Sequence, residues 1–278
     1  MSTAPGCLWV VATPIGHLDD ISARALATLR AVDLIAAEDT RHSGALLRHF
    51  GIDTPLTALH EHNERAAVDA LVRRLVAGAS VALVSDAGTP LVSDPGFRLV
   101  RAARAAGVRV SPVPGPCAAI AALSVAGLPS DRFVFEGFLP AKAAARRVRL
   151  RELAGEPRTL IFYESCHRLG ESLDDAAGIL GTDREAVLAR ELTKRFETVL
   201  AAPLAELALR VKTDADQQRG ECVLLVAGHA DTAEAELAEG RRVFALLREE
   251  LPPAQAARLA AAITGAPRRR LYGAEPAD

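Results

Sequence analysis

Three Gly- and Pro-rich stretches hold many of the groups in this 278-residue chain that could bind or react. Residues 85–96, SDAGTPLVSDPG, are the richest. Gly88 lets backbone approach a ligand closely. Ser85, Asp86, Thr89 and Ser93 add hydrogen-bonding groups, and Asp86 or Asp94 could face a cation. Taken alone, that loop is also what a tight turn with capping Asp and Ser requires. TPIGH (13–17) and VPGPC (113–117) repeat its composition, and three such loops together favour binding. AEDTRH (37–42) gathers Glu38, Asp39, Arg41 and His42, a set able to orient a polar substrate or take a proton, or simply to cap a helix beside an ion pair. YESCHR (163–168) is of the same kind. RELTKRFE (190–197) mixes Arg190, Lys194 and Arg195 with Glu191 and Glu197, as a site or as a salt-bridged hairpin. Arg146, Arg147, Arg149 and Arg151 form one basic run, and Arg268, Arg269 and Arg270 another. Each alone reads as a solvated face; two in one chain make nucleic acid a candidate partner.

Several chemistries are absent from the sequence. No GxxxxGK[ST] or GxGxxG occurs, so neither a P-loop nor the dinucleotide fingerprint is present. HExxH and GxSxG are missing too. The seven His are scattered, and His60 and His62 have a spacing unsuited to one helix face, so no metal is expected. Cys7, Cys117, Cys166 and Cys222 form no CxxC, which speaks against a zinc ribbon or redox dithiol and suits reduced thiols in the cytoplasm. With 33 basic against 35 acidic residues, the net charge of −2 argues against coating nucleic acid by bulk attraction and leaves a local patch open. The segment MSTAPGCLWVVAT lacks a basic region ahead of a long apolar run, so a signal peptide is not expected, and no run of about 18 apolar residues suggests a membrane span.

Positioning these groups requires a particular alternation. Residues 8–13, 32–39, 81–86 and 108–116 are apolar and short, as buried strands are. Helical patterns fall between them, at 22–31, 64–77 and 98–107, and a small-residue helix follows at 117–126. That order predicts a mainly parallel α/β sheet covered on both faces. The three Gly/Pro loops then lie beyond the carboxyl ends of strands, where such sheets bind ligands. The pattern restarts near residue 129. Strands are expected at 132–139, 159–165, 186–191, 196–202 and 220–228, with the third and fourth antiparallel. Residues 141–155 read as a basic helix or exposed loop, and 167–180 as a helix. We therefore expect an N-terminal α/β domain at 1–128, a second with a more mixed sheet at 129–229, and a helical appendage at 230–278. From residue 240 on, seven Arg face four acids, so the appendage has a basic tip.

The ordered set ATPIGHLDDIS, LIAAEDTRHS, SDAGTPLVSDPG, VPGPCAAIAAL, FYESCHRL, ARELTKRFE and RGECVLLV resembles the tetrapyrrole-methylase superfamily (class III methyltransferases), which depend on S-adenosylmethionine. Within it, the AEDTR and YES-HR segments resemble the branch that methylates the ribose 2′-oxygen of a cytidine in the decoding region of small-subunit (16S) ribosomal RNA. The likeness spans about residues 8–228 and the ITGAPRRRLY ending. It departs at His17 (commonly Asn), Cys117 (commonly Ser) and Cys166 (commonly Pro). The resemblance implies two α/β domains with the cofactor in the cleft between them, and a cytoplasmic homodimer acting on 16S rRNA or the small subunit. It carries cofactor contact onto Pro14 and Ile15; onto Asp86, Ala87, Gly88, Thr89, Val92 and Ser93; onto Cys117, Ala118 and Ala119; and, from the second domain, onto Tyr163, Arg190, Glu191 and Gly220. Glu38, Asp39 and His42 are the candidate bases, with Asp86 behind them, and Arg146, Arg147, Arg149 and Arg268, Arg269, Arg270 the expected RNA contacts. The alternatives are a small-molecule methyltransferase acting on a tetrapyrrole-like acid, and a non-catalytic ribosome-assembly factor.

Overall fold

A computed structural model describes residues 6–60, 64–229 and 232–271. The first half is a five-stranded parallel sheet of β1 (Cys7–Val11), β2 (Leu34–Ala37), β3 (Leu56–Ala58), β4 (Val81–Val84) and β5 (Arg109–Val113) in the order β3-β2-β4-β1-β5. β2 and β4 are buried at every position because helices cover both faces. Leu8, Leu71, Leu75, Leu83 and Leu99 fill one face; Val11, Leu29, Ile35, Leu47 and Val84 fill the other. The covering helices are α1 (Ala23–Ala31), α2 (Thr40–His49), α3 (Glu64–Val76) and α4 (Phe97–Ala105). Ser22 starts α1 by accepting the Ala25 N–H at 3.0 Å, and Asp39 starts α2 in the same manner from Arg41. β3 has no counterpart among the expected strands: it is three half-buried residues on the sheet edge.

The second sheet has the order β6-β7-β10-β8-β9, from β6 (Phe133–Phe138), β7 (Thr159–Ser165), β8 (Glu185–Arg190), β9 (Thr198–Pro203) and β10 (Glu221–Val226). Only β6 and β7 pair parallel; the other neighbours are antiparallel, so the mixed sheet is as expected. One face packs on α6 (Ala143–Glu152), α7 (Leu169–Leu180) and α8 (Leu204–Thr213). α8 also has no counterpart among the expected helices, though Leu204, Leu207, Ala208 and Val211 mark its buried stripe. The opposite face receives α5 (Ala118–Ala126), whose Ala119, Ala122 and Leu123 meet Ile161, Val187 and Val223. α5 lies before the expected boundary at residue 128 yet packs on the second sheet, so it joins the halves. The appendage is α9 (Thr232–Arg248), α10 (Pro253–Thr264) and the short α11 (Arg268–Leu271), closed around Leu237, Phe244, Ala257 and Leu271.

Candidate functional site

Because the first sheet is parallel, the loops after β1, β4 and β5 leave it at one edge. Thr13 and Gly88 bind them together through two reciprocal backbone hydrogen bonds, 2.9 and 3.1 Å long. The Thr89 hydroxyl then donates to the Pro116 carbonyl at 2.9 Å, tying in the third loop. These loops face a cavity of about 310 Å³ whose other wall is the second sheet. Ile15, Gly88, Thr89, Val92, Ser93 and Ala118 line it from the first half. Phe138, Tyr163, Glu191, Leu192, Gly220 and Val223 line it from the second.

The backbone around the cavity is strained on both sides. Among the described residues, the non-glycine residues with positive φ are Leu91 (74°), Ser93 (67°), Glu191 (51°) and Thr193 (63°). Each such residue costs on the order of 1–3 kcal/mol, and such strain clusters at functional sites. Gly88 and Gly220 add φ of 80° and 86°, where a Cβ would be unfavourable. At Gly220 an added Cβ would fall 2.7 Å from Glu191 Cγ and closer still to its carboxyl.

Glu191 is fixed by that approach. Its Oε1 accepts the Glu221 N–H at 2.8 Å and Lys194 Nζ at 3.0 Å. Burial pushes the Glu191 carboxyl up, but the Glu221 amide and the Lys194 ammonium outweigh it and leave the acid ionised below its usual range. Burial likewise disfavours the Lys194 charge, and Glu221 at 2.8 Å with Glu191 restores it, keeping the ammonium protonated. Opposite, burial raises the Asp94 carboxyl against a hydrogen bond from Ser85. Burial raises the Tyr163 phenol as well, with Cys117 beside it. That phenol oxygen accepts the Ala119 N–H at 3.2 Å, at the start of α5, and its ring sits edge-on to Phe135 and Phe138.

Most residues that the resemblance assigned to cofactor do line this cavity: Ile15, Ala87, Gly88, Thr89, Val92 and Ser93, with Ala118, Tyr163, Glu191 and Gly220. Pro14 and Asp86 line a second cavity that adjoins it. Cys117 and Ala119 lie behind the wall, at the cap and first turn of α5. Arg190 is a correction: it is buried and donates to Thr198, Gln217 and the carbonyls of Phe196 and Arg219, holding the loop rather than facing the cavity. Of the expected bases, Glu38 and Asp39 line neither cavity. Arg41 chelates the Asp39 carboxylate and holds it well below the ordinary range, which makes it a poor proton acceptor. His42 lines the second cavity.

On the helix carrying Arg146, Arg147 and Arg149, the structure rules out Arg146 as an RNA contact and leaves the other two partly exposed. Arg146 is 1% exposed and donates to Asp175 at 2.7 Å and Glu171 at 3.3 Å, so no phosphate can reach it. Arg147 binds the other Asp175 oxygen, and Arg149 spans Glu136 and Glu152. These three arginines are paired with acids of their own domain. Arg268, Arg269 and Arg270 remain exposed on α11, with Arg268 reaching the Ala254 carbonyl at 3.3 Å. Among the wall residues, Phe138 and Glu221 carry no signal of their own in the sequence. Asp94 stands out there only as a possible cation ligand, and Lys194 only as one charge of a mixed run.

Residues 7–208 match the tetrapyrrole (corrin/porphyrin) methylase family. The chain belongs to that family. Tetrapyrrole methylases of known structure share the architecture: uroporphyrin-III C-methyltransferase from Thermus thermophilus is 21% identical, with a TM-score of 0.57 over 80% of this chain and 94% of its own. Cobalt precorrin-4 methyltransferase is 17% identical, with a TM-score of 0.60 over 80% of this chain and 94% of its own. Sequence likeness is far higher to proteins named ribosomal RNA small subunit methyltransferase I. The one from Xylella fastidiosa strain 9a5c is 64% identical over 98% of this chain and 100% of its own, and that of Escherichia coli O157:H7 58% identical over 96% and 93%. Residues 234–274 match the RsmI C-terminal HTH domain, which this tetrapyrrole methylase carries as α9 to α11.

Proposed function

We propose that this protein methylates small-subunit ribosomal RNA, using S-adenosylmethionine as donor and the ribose 2′-oxygen of a cytidine in the decoding region of 16S rRNA as acceptor. The observation that carries the reading is the cavity between the two sheets, with glycine cradles and strained backbone on both of its walls. Its lining fits the cofactor. Ile15, Val92, Leu192 and Val223 offer apolar surface for a nucleoside ring, while Thr89, Ser93 and the Glu191 carboxylate offer polar and anionic partners for hydroxyl and ammonium groups. Bound there, S-adenosylmethionine supplies a methyl group on a sulfonium, already an electrophile.

The chain's own contribution is alignment. Two walls fixed by the Thr13–Gly88 bridge and the Glu191–Lys194–Glu221 cluster hold the site in one geometry. Alignment of this kind is worth up to roughly 7–11 kcal/mol of a barrier. A positioned base adds about 10²–10⁴-fold. Of the candidate bases, His42 and Asp86 line the cavity that adjoins this one, which supports one of them as the group that takes the hydroxyl proton. The exposed Arg268, Arg269 and Arg270 hold RNA phosphate, and the reading includes the cytoplasmic homodimer that the resemblance implies. Sequence likeness to rRNA methyltransferases favours this acceptor over a tetrapyrrole-like acid.

The test is transfer of a labelled methyl group to small ribosomal subunits from cells lacking this gene, followed by nucleoside analysis. Label in 2′-O-methylcytidine is the expected result. Unlabelled rRNA in the presence of bound cofactor contradicts the reading and favours a small-molecule acceptor.

A further inference from the structure

Two of the four cysteines meet behind the cavity wall. Cys222 is the second residue of β10, and strand pairing sets it opposite Glu164 of β7 on one side and Arg190 of β8 on the other. Cys166 follows the last residue of β7 and so is the diagonal neighbour of Cys222 across that pair. Both are buried in the apolar core beneath α7 and α8, and Cys222 also contributes to the cavity lining. The Cys222 thiol donates to the Glu164 carbonyl at 3.1 Å and is in hydrogen-bond contact with Cys166. No CxxC joins the two in sequence; the sheet brings them together. Their chain neighbours belong to the wall. Cys222 follows Glu221, whose amide and carboxylate hold Glu191 and Lys194, and Arg190 precedes Glu191 itself.

We propose that Cys166 and Cys222 close into a reversible disulfide, and that this bond is a redox switch on the cofactor wall. The switch, though not the bond, rests on the reading of the cavity as the cofactor site. The co-reactant is a hydroperoxide. The Cys166 sulfur attacks its outer oxygen, the O–O bond breaks, and the departing oxygen leaves with the Cys166 proton, which gives a sulfenic acid. The Cys222 sulfur then attacks the Cys166 sulfur. The S–S bond forms, the S–O bond breaks, and water leaves with the Cys222 proton. The two sulfurs give up two electrons, which reduce the hydroperoxide to an alcohol and water. Exchange with an external dithiol restores both thiols. Cys166 is the attacking sulfur because the hydrogen bond from Cys222 holds its thiol below the ordinary range against the effect of burial, with the Arg190 guanidinium assisting. The same contact, together with burial, pushes the Cys222 thiol far up, so the proton stays there.

Closing the bond must move the wall. Diagonal partners across an antiparallel pair stand about 7–8 Å apart, whereas the Cα atoms of a disulfide prefer about 5.5–6 Å. The start of β10 or the turn after β7 therefore has to shift. A shift at Cys222 passes to Glu221 and Gly220, the two residues before it, and from them to the Glu191 carboxylate, which accepts the Glu221 amide and lies against Gly220. A disulfide formed against such strain is readily reduced, as labile regulatory ones are. The coupling is reciprocal: if the bond weakens cofactor binding by some factor, bound cofactor disfavours the bond by the same factor.

Full-length protein is treated with hydrogen peroxide, its remaining thiols are alkylated after unfolding, and its peptides are mapped by mass spectrometry. S-adenosylmethionine is titrated calorimetrically into the reduced, the oxidised and the dithiothreitol-treated protein. The expected result is a bridge between the Cys166 and Cys222 peptides, a cofactor Kd raised about tenfold or more, and recovery to within twofold after dithiothreitol. Cys166→Ala should bind cofactor as reduced wild type does, before and after peroxide. Cys222 left open to alkylation, or bridged to Cys7 or Cys117, overturns the bond. A mapped bridge with an unchanged Kd overturns the switch, and so does an equal loss of affinity in peroxide-treated Cys166→Ala. Mapping on wild type needs no variant to fold, and Cys166→Ser supplies the control where Cys166→Ala does not fold. Reduced wild type that binds no cofactor overturns the reading of the cavity and the switch with it, and leaves the mapped bridge standing.

Discussion

Gly220 and Glu191 stand so close that the glycine has no room for a side chain: a Cβ there would overlap the Glu191 carboxyl. The two residues belong to neighbouring strand ends of the second sheet, and the Glu191 carboxylate reaches back across to accept the amide of Glu221. One wall of the cavity between the sheets therefore depends on an absent methyl group. Gly220→Ala must push Glu191 out of place and holds alanine at a φ of 86°. We expect cofactor affinity to fall at least tenfold and the protein to lose about 1–3 kcal/mol of stability, read by calorimetry and urea unfolding. Wild-type affinity would remove Glu191 from the cofactor wall.

The strain at Ser93 leads to a trade between stability and binding. Its φ of 67° favours glycine, and its side chain lines the cavity. Ser93→Gly relieves strain while deleting a hydroxyl. Stability should rise by about 0.5–1 kcal/mol after the added chain entropy of glycine, while cofactor affinity falls. Unfolding midpoints and cofactor titrations moving in the same direction would contradict this.

The Arg146–Asp175 pair lies between α6 and α7, and both partners are nearly out of solvent. Removing the acid strands a buried cation, so Asp175→Ala should cost about 3–5 kcal/mol. Burial pushes the Asp175 carboxyl up, but Arg147 and Arg146 overcome it and its pKa lies below the ordinary value. A depressed folded pKa means that the contribution is complete above the unfolded value of about 3.9 and is lost as pH falls further through the folded value. Urea unfolding of wild type and Asp175→Asn should thus differ at pH 7 and converge at the acid limit.

The basic tip and the basic helix should behave differently toward RNA. Replacing Arg268, Arg269 and Arg270 by Ala should weaken subunit binding and flatten the dependence of log K on log salt by about one unit for each phosphate no longer held. Arg149→Ala removes a guanidinium already spanning Glu136 and Glu152 and should leave that slope unchanged. A slope flattened by Arg149→Ala would return the α6 arginines to the RNA surface, and a wild-type slope for the triple variant would remove the basic tip from it.

Much of the fold is legible in the residues. Short apolar strands ending in Gly/Pro loops mark the parallel sheet, and three of those loops do line the cavity or support its wall. β3 is not legible because three half-buried residues after Pro55 carry no period long enough to detect. α8 does carry a signal, in its Leu204, Leu207, Ala208 and Val211 stripe. Arg146 misleads for a different reason. A run of arginines reads as surface by local chemistry, and its acids Glu171 and Asp175 arrive from 25 and 29 residues away. Lys194 belongs to the same class: its charge is visible in sequence, but its place at the rim between two cavities depends on Glu191, Glu221 and the Gly16 loop meeting there. An added Cβ on Gly16 would fall 2.6 Å from Lys194 Cγ, so that meeting is close.

Whether the space between the two sheets holds the cofactor, as we propose, is read from a crystal structure with S-adenosylhomocysteine. The ligand is expected between the sheets, touching the Gly88–Ser93 loop on one side and Glu191 and Gly220 on the other, with the adjoining cavity lined by His42 left free. Ligand bound elsewhere, or a cavity that stays empty at saturating concentration, would contradict it.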